Sequence, residues 1–83
     1  MAGTRKRTDP NIRDPLAEST VSRRLWAAYL SRGFTRASFA RALQVRYQAV
    51  DAWDRGAIPT LDNLIAASRL VRYSLDQLCF GHA

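Results

Sequence analysis

The sequence predicts a compact all-α domain of five short helices, preceded by a flexible N-terminal arm. From Ser19 onward, apolar residues recur at helical spacing, and no segment shows the alternation that is typical of a strand. Ser or Thr stands at most of the predicted helix starts, and glycines follow several of the predicted ends. The 83 residues are enough for one small domain. We place this domain at residues 19–83 and the arm at residues 1–18.

The arm combines glycine, proline and scattered charge with few large apolar residues, so it cannot bury enough surface to become ordered. It is locally basic at Arg5, Lys6 and Arg7. This basic run is consistent either with a terminus that binds nothing or with an arm that contacts the phosphates of a nucleic acid.

The first helix is predicted to begin after Ser19 or Thr20, either of which can cap it, and to reach about Ser31. Gly33 then ends it in a left-handed conformation. Its apolar residues cover two neighbouring faces, formed by Val21, Leu25, Ala28 and Tyr29 and by Trp26 and Leu30. Because the helix is apolar on more than one side, Trp26 and Leu30 are candidates either for packing under the arm or for a contact between protomers.

The second and third helices are predicted to form a sharply crossing pair. Thr35 caps the second helix, which runs from Arg36 to about Leu43, and the third lies within "QVRYQAVDAWDRG" and ends at Gly56. So short a joint indicates a helix-turn-helix arrangement. The third helix should bury Val50 and Trp53. Its outward side then carries Arg46, Tyr47, Gln48, Asp51, Ala52 and Arg55.

Two further helices complete the domain. Thr60 is predicted to cap the fourth helix, and Ser74 with Gln77 forms a capping-box pattern for a last helix, "LDQLCF", which Gly81 ends. Cys79 is expected to be a small buried apolar residue. The residues predicted to build the core are Leu25, Phe39, Val50, Trp53, Leu61, Leu64 and Leu75.

Composition limits the classes of function. The 13 basic and 7 acidic residues give a net charge of +6, which favours nucleic acid or an anionic surface as the partner, although charge can also serve solubility alone. We see no signal peptide and no apolar run long enough to span a membrane, so we expect a cytoplasmic protein. The chain lacks a glycine-rich phosphate loop and clustered metal ligands. We therefore expect no enzyme, no metal and no cofactor.

The span from about Ser22 to Gly81 resembles the lambda-repressor-like helix-turn-helix family, the Cro/cI or xenobiotic-response-element type. The matching segments are "RGFTRASFARAL", "QVRYQAVDAWDRG" and "IPTLDNLIAASRLVRYSLDQLCFG". The resemblance implies that the third helix enters the major groove of DNA. The chain departs from the family pattern at Gln44 and Arg72, where glycine is usual, and at Arg46, where a serine cap is common.

The resemblance also implies roles for single residues. Tyr47, Gln48 and Ala52 correspond to the family's base-reading positions, and Arg46 suits a guanine or a nearby phosphate. Arg36 and Arg55 are expected to bind phosphates, and Asp51 to orient Arg55 by an ion pair. The family dimerises through its last helices, which makes Leu78, Phe80 and His82 the candidate dimer contacts.

We therefore expect a stand-alone regulator of transcription that binds double-stranded DNA in a sequence-specific manner. The simplest form is a homodimeric repressor, or autorepressor, that occludes a promoter at a palindromic operator. The alternative is a protein-interaction module, or the antitoxin of a toxin–antitoxin pair, which binds its toxin through the arm. The two alternatives differ in salt dependence, because only phosphate contacts make binding fall steeply with added salt.

Overall fold

The computed structural model describes residues 14–82, and these form an all-α fold. A short 3-10 turn, Pro15–Ala17, is followed by five α-helices. They are α1 (Val21–Ser31), α2 (Arg36–Leu43), α3 (Tyr47–Asp54), α4 (Leu61–Val71) and α5 (Leu75–Phe80). The predicted fold class and the predicted order of helices are thus confirmed.

Four helices begin at the caps that the sequence indicates. The hydroxyls of Thr20, Thr35, Thr60 and Ser74 each accept a hydrogen bond from a backbone N–H in the first turn of their helix, at 3.0–3.2 Å. Each such cap stabilises its helix by about 1 kcal/mol. Helix α3 differs, since Arg46 at its N-cap makes no side-chain capping bond within the described chain.

The core lies between α1, α2, α3 and the last two helices. Tyr29 stacks on Phe39 with ring centroids 4.6 Å apart, and Leu25, Val50 and Leu78 are fully buried around them. Trp53 and Leu64, also predicted core residues, are buried, and Leu75 is partly buried against the same cluster.

The prediction is wrong for one core residue, Leu61. Leu61 has 62% of its surface exposed, and it is the first residue of α4, one turn before the first buried residue of that helix, Leu64. Cys79 is only half-buried, although it packs against the core.

A buried arginine ties the two ends of the described chain together. Arg24 on α1 is 7% exposed, and its guanidinium donates hydrogen bonds to the carbonyls of Leu78 (2.6 Å), Cys79 (2.6 Å) and Glu18 (2.7 Å). Two of these carbonyls belong to the last turn of α5, where a positive charge also complements the helix dipole. Arg24 therefore holds α5 and the segment before α1 against α1.

Residues 14–18 differ from the flexible arm predicted for residues 1–18. Pro15 is buried, the Pro15–Ala17 turn packs against α1 and α5, and the Glu18 carbonyl is held by Arg24. The ordered domain therefore begins by Asp14 and not at residue 19. Composition did not show this, because the order comes from a hydrogen bond and from proline packing. Arg5, Lys6 and Arg7 lie outside the described residues.

Two non-glycine residues adopt the left-handed conformation just after a helix. Gln44 ends α2 with φ 61°, and Arg72 ends α4 with φ 64°, at the two positions where the sequence departs from the expected glycine. A side chain in this conformation costs about 1 kcal/mol relative to glycine.

We expect Gln44→Gly to raise the free energy of unfolding by up to about 1 kcal/mol, because the substitution relieves the strain of the left-handed backbone. Urea denaturation monitored by circular dichroism measures this change. Ala42→Gly, inside α2, is the matched control, and we expect it to destabilise the protein by about 0.5–1 kcal/mol. A Gln44→Gly variant that is less stable than the wild-type protein would contradict backbone strain at Gln44.

No helix among residues 14–82 is long and apolar enough to cross a membrane.

Candidate nucleic-acid interface

Helix α3 has one buried side and one open side. Val50 is completely buried and Trp53 is 6% exposed, whereas Tyr47, Gln48 and Ala52 are exposed. Gln48 and Ala52 lie one turn apart, so they share a face. The outward polar side predicted from the sequence is therefore present.

The turn between α2 and α3 fixes how the two helices cross. The backbone N–H of Val45 donates to the carbonyl of Ala40 at 3.0 Å, which satisfies the end of α2 while Gln44 takes the left-handed conformation. Val45 packs on the core and Arg46 is exposed at the start of α3. The first turn of α3 thus presents uncapped backbone N–H groups beside an exposed cation.

Arg36 forms the centre of a polar cluster between α2 and α3. Its Nε donates to Oδ2 of Asp54 at 2.7 Å, and its Nη1 lies 3.2 Å from both Oδ1 of Asp51 and the hydroxyl of Tyr47. The hydrogen bond to Asp54, followed by the one to Tyr47, raises the pKa of Arg36 further above its usual value. Arg36 uses Nε and Nη1 for partners in its own chain, whereas its Nη2 makes no hydrogen bond within residues 14–82. Nη2 is therefore the group left for a phosphate contact, which stays a prediction.

Asp54 is joined to the core by a tyrosine. The hydroxyl of Tyr29 donates to Oδ2 of Asp54 at 2.7 Å, and the Asp54 side chain is only 8% exposed. Burial, and then the hydrogen bond to Asp54, raises the pKa of Tyr29 above its usual value, so this hydroxyl remains a donor throughout the neutral range. Asp54 therefore fixes the C-terminal end of α3 to α1 through Tyr29 and to α2 through Arg36.

Asp51 binds two arginines at once. Its Oδ2 lies 3.1 Å from Nη2 of Arg55, four residues on, while Oδ1 faces Arg36. The expectation that Asp51 orients Arg55 is thus confirmed. The side chain of Arg55 is 78% exposed, so the pair is open to solvent and to salt.

Two further arginines flank the start of α3. Arg41 and Arg46 are exposed and form no salt bridge with any residue between Asp14 and His82. Within the same part of the chain, no three side chains of His, Cys, Asp or Glu are grouped as a metal site would require.

The three candidate dimer contacts have different surroundings. Leu78 is completely buried in the core, so its assignment to an interface is wrong: the helical pattern did not show that α1 covers this side of α5. Phe80 is 67% exposed and remains a candidate. His82 is exposed and its Nε2 lies 3.0 Å from Oδ2 of Asp14, a contact that lowers the pKa of Asp14.

The other proposed surface on α1 is largely used inside the domain. Trp26 and Leu30 are half-buried against the core, and the guanidinium of Arg23 lies 4.4 Å from the centre of the Trp26 ring. This leaves α1 with a small apolar surface.

Comparisons with protein-family models, with characterised proteins and with solved structures find no match for this chain.

Sequence reasoning missed the polar residues that hold the helices against one another. Asp54, Tyr29 and Arg24 make the polar contacts that fix the helices. In the sequence, however, Asp54 looks like an acid at the end of a helix, Tyr29 like an aromatic residue on an apolar face, and Arg24 like one more surface arginine. A signal was present for Tyr29 and Arg24, because both lie on the face of α1 that also carries Leu25 and Ala28.

Proposed function

We propose that this protein binds double-stranded DNA in a sequence-specific manner through α3 and regulates transcription. The observation that supports this is the open side of α3, where Tyr47, Gln48 and Ala52 stand exposed above the buried Val50 and Trp53. An α-helix with one free polar side fits the major groove, where each base pair shows a distinct set of donors and acceptors.

Each exposed side chain suits a different contact. The amide of Gln48 can both donate to and accept from an adenine, and the methyl group of Ala52 fits against a thymine methyl. Arg46 stands at the entrance of the helix, where a guanidinium and free backbone N–H groups together favour a phosphate or a guanine. The Tyr47 hydroxyl lies against Arg36, and 47% of the residue surface is exposed, so its ring is accessible to a sugar or a phosphate.

A single module of this size has few base-reading groups, so we propose that a homodimer binds two half-sites of a palindromic operator. Phe80, exposed at the end of α5, is the apolar residue best placed to contribute to the dimer. Such a dimer would act as a repressor, or autorepressor, by occluding a promoter in the cytoplasm, without a cofactor and without catalysis.

Selection of binding sites from a pool of random duplexes tests the proposal. We expect a palindromic consensus, together with an affinity that falls with a log–log salt slope of about −0.9 for each phosphate contacted. A pool that shows no enrichment, together with binding that does not respond to salt, would contradict DNA binding. An enriched consensus without symmetry would contradict the dimer only.

Gln48→Ala should weaken the preference at one base position of the selected operator by about 1–3 kcal/mol, because the variant loses a contact to a base edge. The measurement is a competition assay with single-base operator variants. Arg55→Gln is the contrast, since loss of a phosphate contact should weaken all single-base variants of the operator about equally and reduce the salt slope on the operator. If both variants shift all operator variants by the same factor, Gln48 does not read a base.

A protein partner is the second candidate function, and a particular observation favours it. Ile58, Leu61 and Phe80 are exposed by 70%, 62% and 67% of their surfaces. Contiguous apolar residues on a surface mark contacts with other proteins, and Ile58 and Leu61 are only three residues apart in the chain. An antitoxin would combine a contact with its toxin and DNA binding. A toxin bound through the arm would stay bound to this protein at a salt concentration that dissociates the DNA.

A further inference from the structure

A carboxylate stands beside the open side of α3, where a polyanion would approach. Asp51 lies one turn after Tyr47 and three residues after Gln48, so it borders the face that carries the proposed base-reading groups. Its side chain is 27% exposed. A carboxylate at this position repels phosphate, and a protein that used α3 only for electrostatic attraction would gain nothing from it.

Asp51 also neutralises cations that would otherwise face the nucleic acid. It pairs with Arg55 at 3.1 Å and with Arg36 at 3.2 Å, while Asp54 takes the remaining contact of Arg36 at 2.7 Å. Two arginines and two aspartates thus form one cluster without net charge. The sequence carries +6 in total, yet this part of the surface is held neutral by its own ion pairs.

The two pairs of Asp51 differ in how easily they break. Arg36 is held from the other side by Asp54, whose side chain is 8% exposed, so it has little freedom to leave. Arg55 has no such second anchor among the described residues, and its side chain is 78% exposed. Exposed pairs of this kind are weak and are screened by salt. Arg55 is therefore the cation that can exchange Asp51 for a phosphate.

We propose that Asp51 is a specificity-determining residue, which suppresses binding to arbitrary duplexes by withholding Arg55 from phosphate and by placing a negative charge at the groove. This inference rests on the proposed DNA-binding function. A carboxylate at a base edge is favourable only where an amino group, such as that of cytosine, can donate to it. At other base pairs the carboxylate finds no donor on the DNA and only faces a polyanion. Specificity then comes from rejecting wrong sites as well as from binding the right one.

The test compares Asp51→Asn with Asp76→Asn on a random-sequence duplex and on the selected operator, over a series of salt concentrations. Asp76 is exposed in the first turn of α5, so this control changes the net charge by the same amount at a helix that packs mainly on α1, α4 and the Pro15–Ala17 turn. Asn keeps the shape of Asp and removes only its charge. Asp51→Ser is a second variant, and thermal melts followed by circular dichroism verify that each variant is folded.

We expect Asp51→Asn to steepen the salt slope on the random duplex by about 0.9, which corresponds to about 8-fold in affinity for each ten-fold change in salt. The preference for the operator over the random duplex should fall, while Asp76→Asn leaves both nearly unchanged. In the double variant Asp51→Asn, Arg55→Gln, the gain on the random duplex should disappear, because Arg55 is the group that Asp51 releases.

The outcomes separate this inference from the proposed function. If the wild-type protein binds duplexes but Asp51→Asn behaves like Asp76→Asn, or binds random duplex more weakly, the role of Asp51 is overturned and DNA binding stands. If Asp51→Asn tightens random and operator duplexes by the same factor, Asp51 affects affinity only, and the specificity role is overturned. If the wild-type protein binds no duplex at any salt concentration, the proposed function and this inference both fall.

Discussion

Trp53→Ala is expected to destabilise the domain by about 3–5 kcal/mol, because removal of a buried aromatic side chain leaves a cavity that the neighbours only partly fill. Trp53 is 6% exposed, and it and Val50 are the two buried residues of α3. Small domains have a total stability of about 5–15 kcal/mol, so this loss takes a large part of it. Urea denaturation monitored by circular dichroism measures the change, and DNA binding should be lost together with the fold.

Trp26→Ala is the matched control, because it removes the same side chain from a half-buried site on α1. We expect a smaller loss of stability and little change in the affinity for DNA. Trp53→Phe keeps an aromatic ring and should retain most of the stability. If Trp53→Phe folds well but binds no duplex, Trp53 contacts the DNA itself, which would contradict its position on the buried side of α3.

The local features of the fold were accessible from the sequence. Thr20, Thr35, Thr60 and Ser74 were recognisable as caps because a hydroxyl followed by a helical apolar pattern satisfies the first turn locally. The short joint of residues 44–46 between α2 and α3 was likewise recognisable. Each of these predictions depends on residues that are neighbours in the chain, which is why a single sequence was sufficient.

The errors concern side chains whose surroundings come from other elements. Leu61 and Leu78 both lie on apolar faces, yet Leu61 is exposed and Leu78 is buried. Periodicity identifies the face of a helix, but it does not show where along that face the covering helix ends. Leu61 precedes Leu64, the first buried residue of α4, whereas Leu78 is buried and its carbonyl accepts a hydrogen bond from Arg24 of α1.

Arginine is the residue type for which the sequence was least informative. Arg24, Arg36 and Arg55 look alike in the chain, but Arg24 is buried on carbonyls, Arg36 is held by two carboxylates, and Arg55 is open. The guanidinium has five donors on a long stem, so it binds whatever acceptors the fold brings within reach. The count of 13 basic residues therefore overstates the number of cations that are free to bind a polyanion.

Arg24→Met is expected to destabilise the domain by about 3 kcal/mol or more, since each buried carbonyl left without a donor costs about 1–3 kcal/mol. Methionine retains an unbranched stem of similar length, so the variant mainly removes the three hydrogen bonds to Leu78, Cys79 and Glu18. Urea denaturation measures the loss. Amide hydrogen exchange should show the largest loss of protection in α5, because its last carbonyls lose their donor.

Arg69→Met is the control for Arg24→Met, as it removes an exposed arginine from the last turn of α4 and should cost less than about 1 kcal/mol. The hydrogen bonds of Arg24 go to α5 and to Glu18, away from α3. Under conditions where Arg24→Met is still folded, its affinity for DNA should therefore match that of the wild-type protein. Equal stability of the two variants would show that the carbonyls of α5 find other donors. A loss of affinity in the folded variant would instead mean that α5 and the segment around Glu18 contribute to the DNA-binding surface, which then extends well beyond α3.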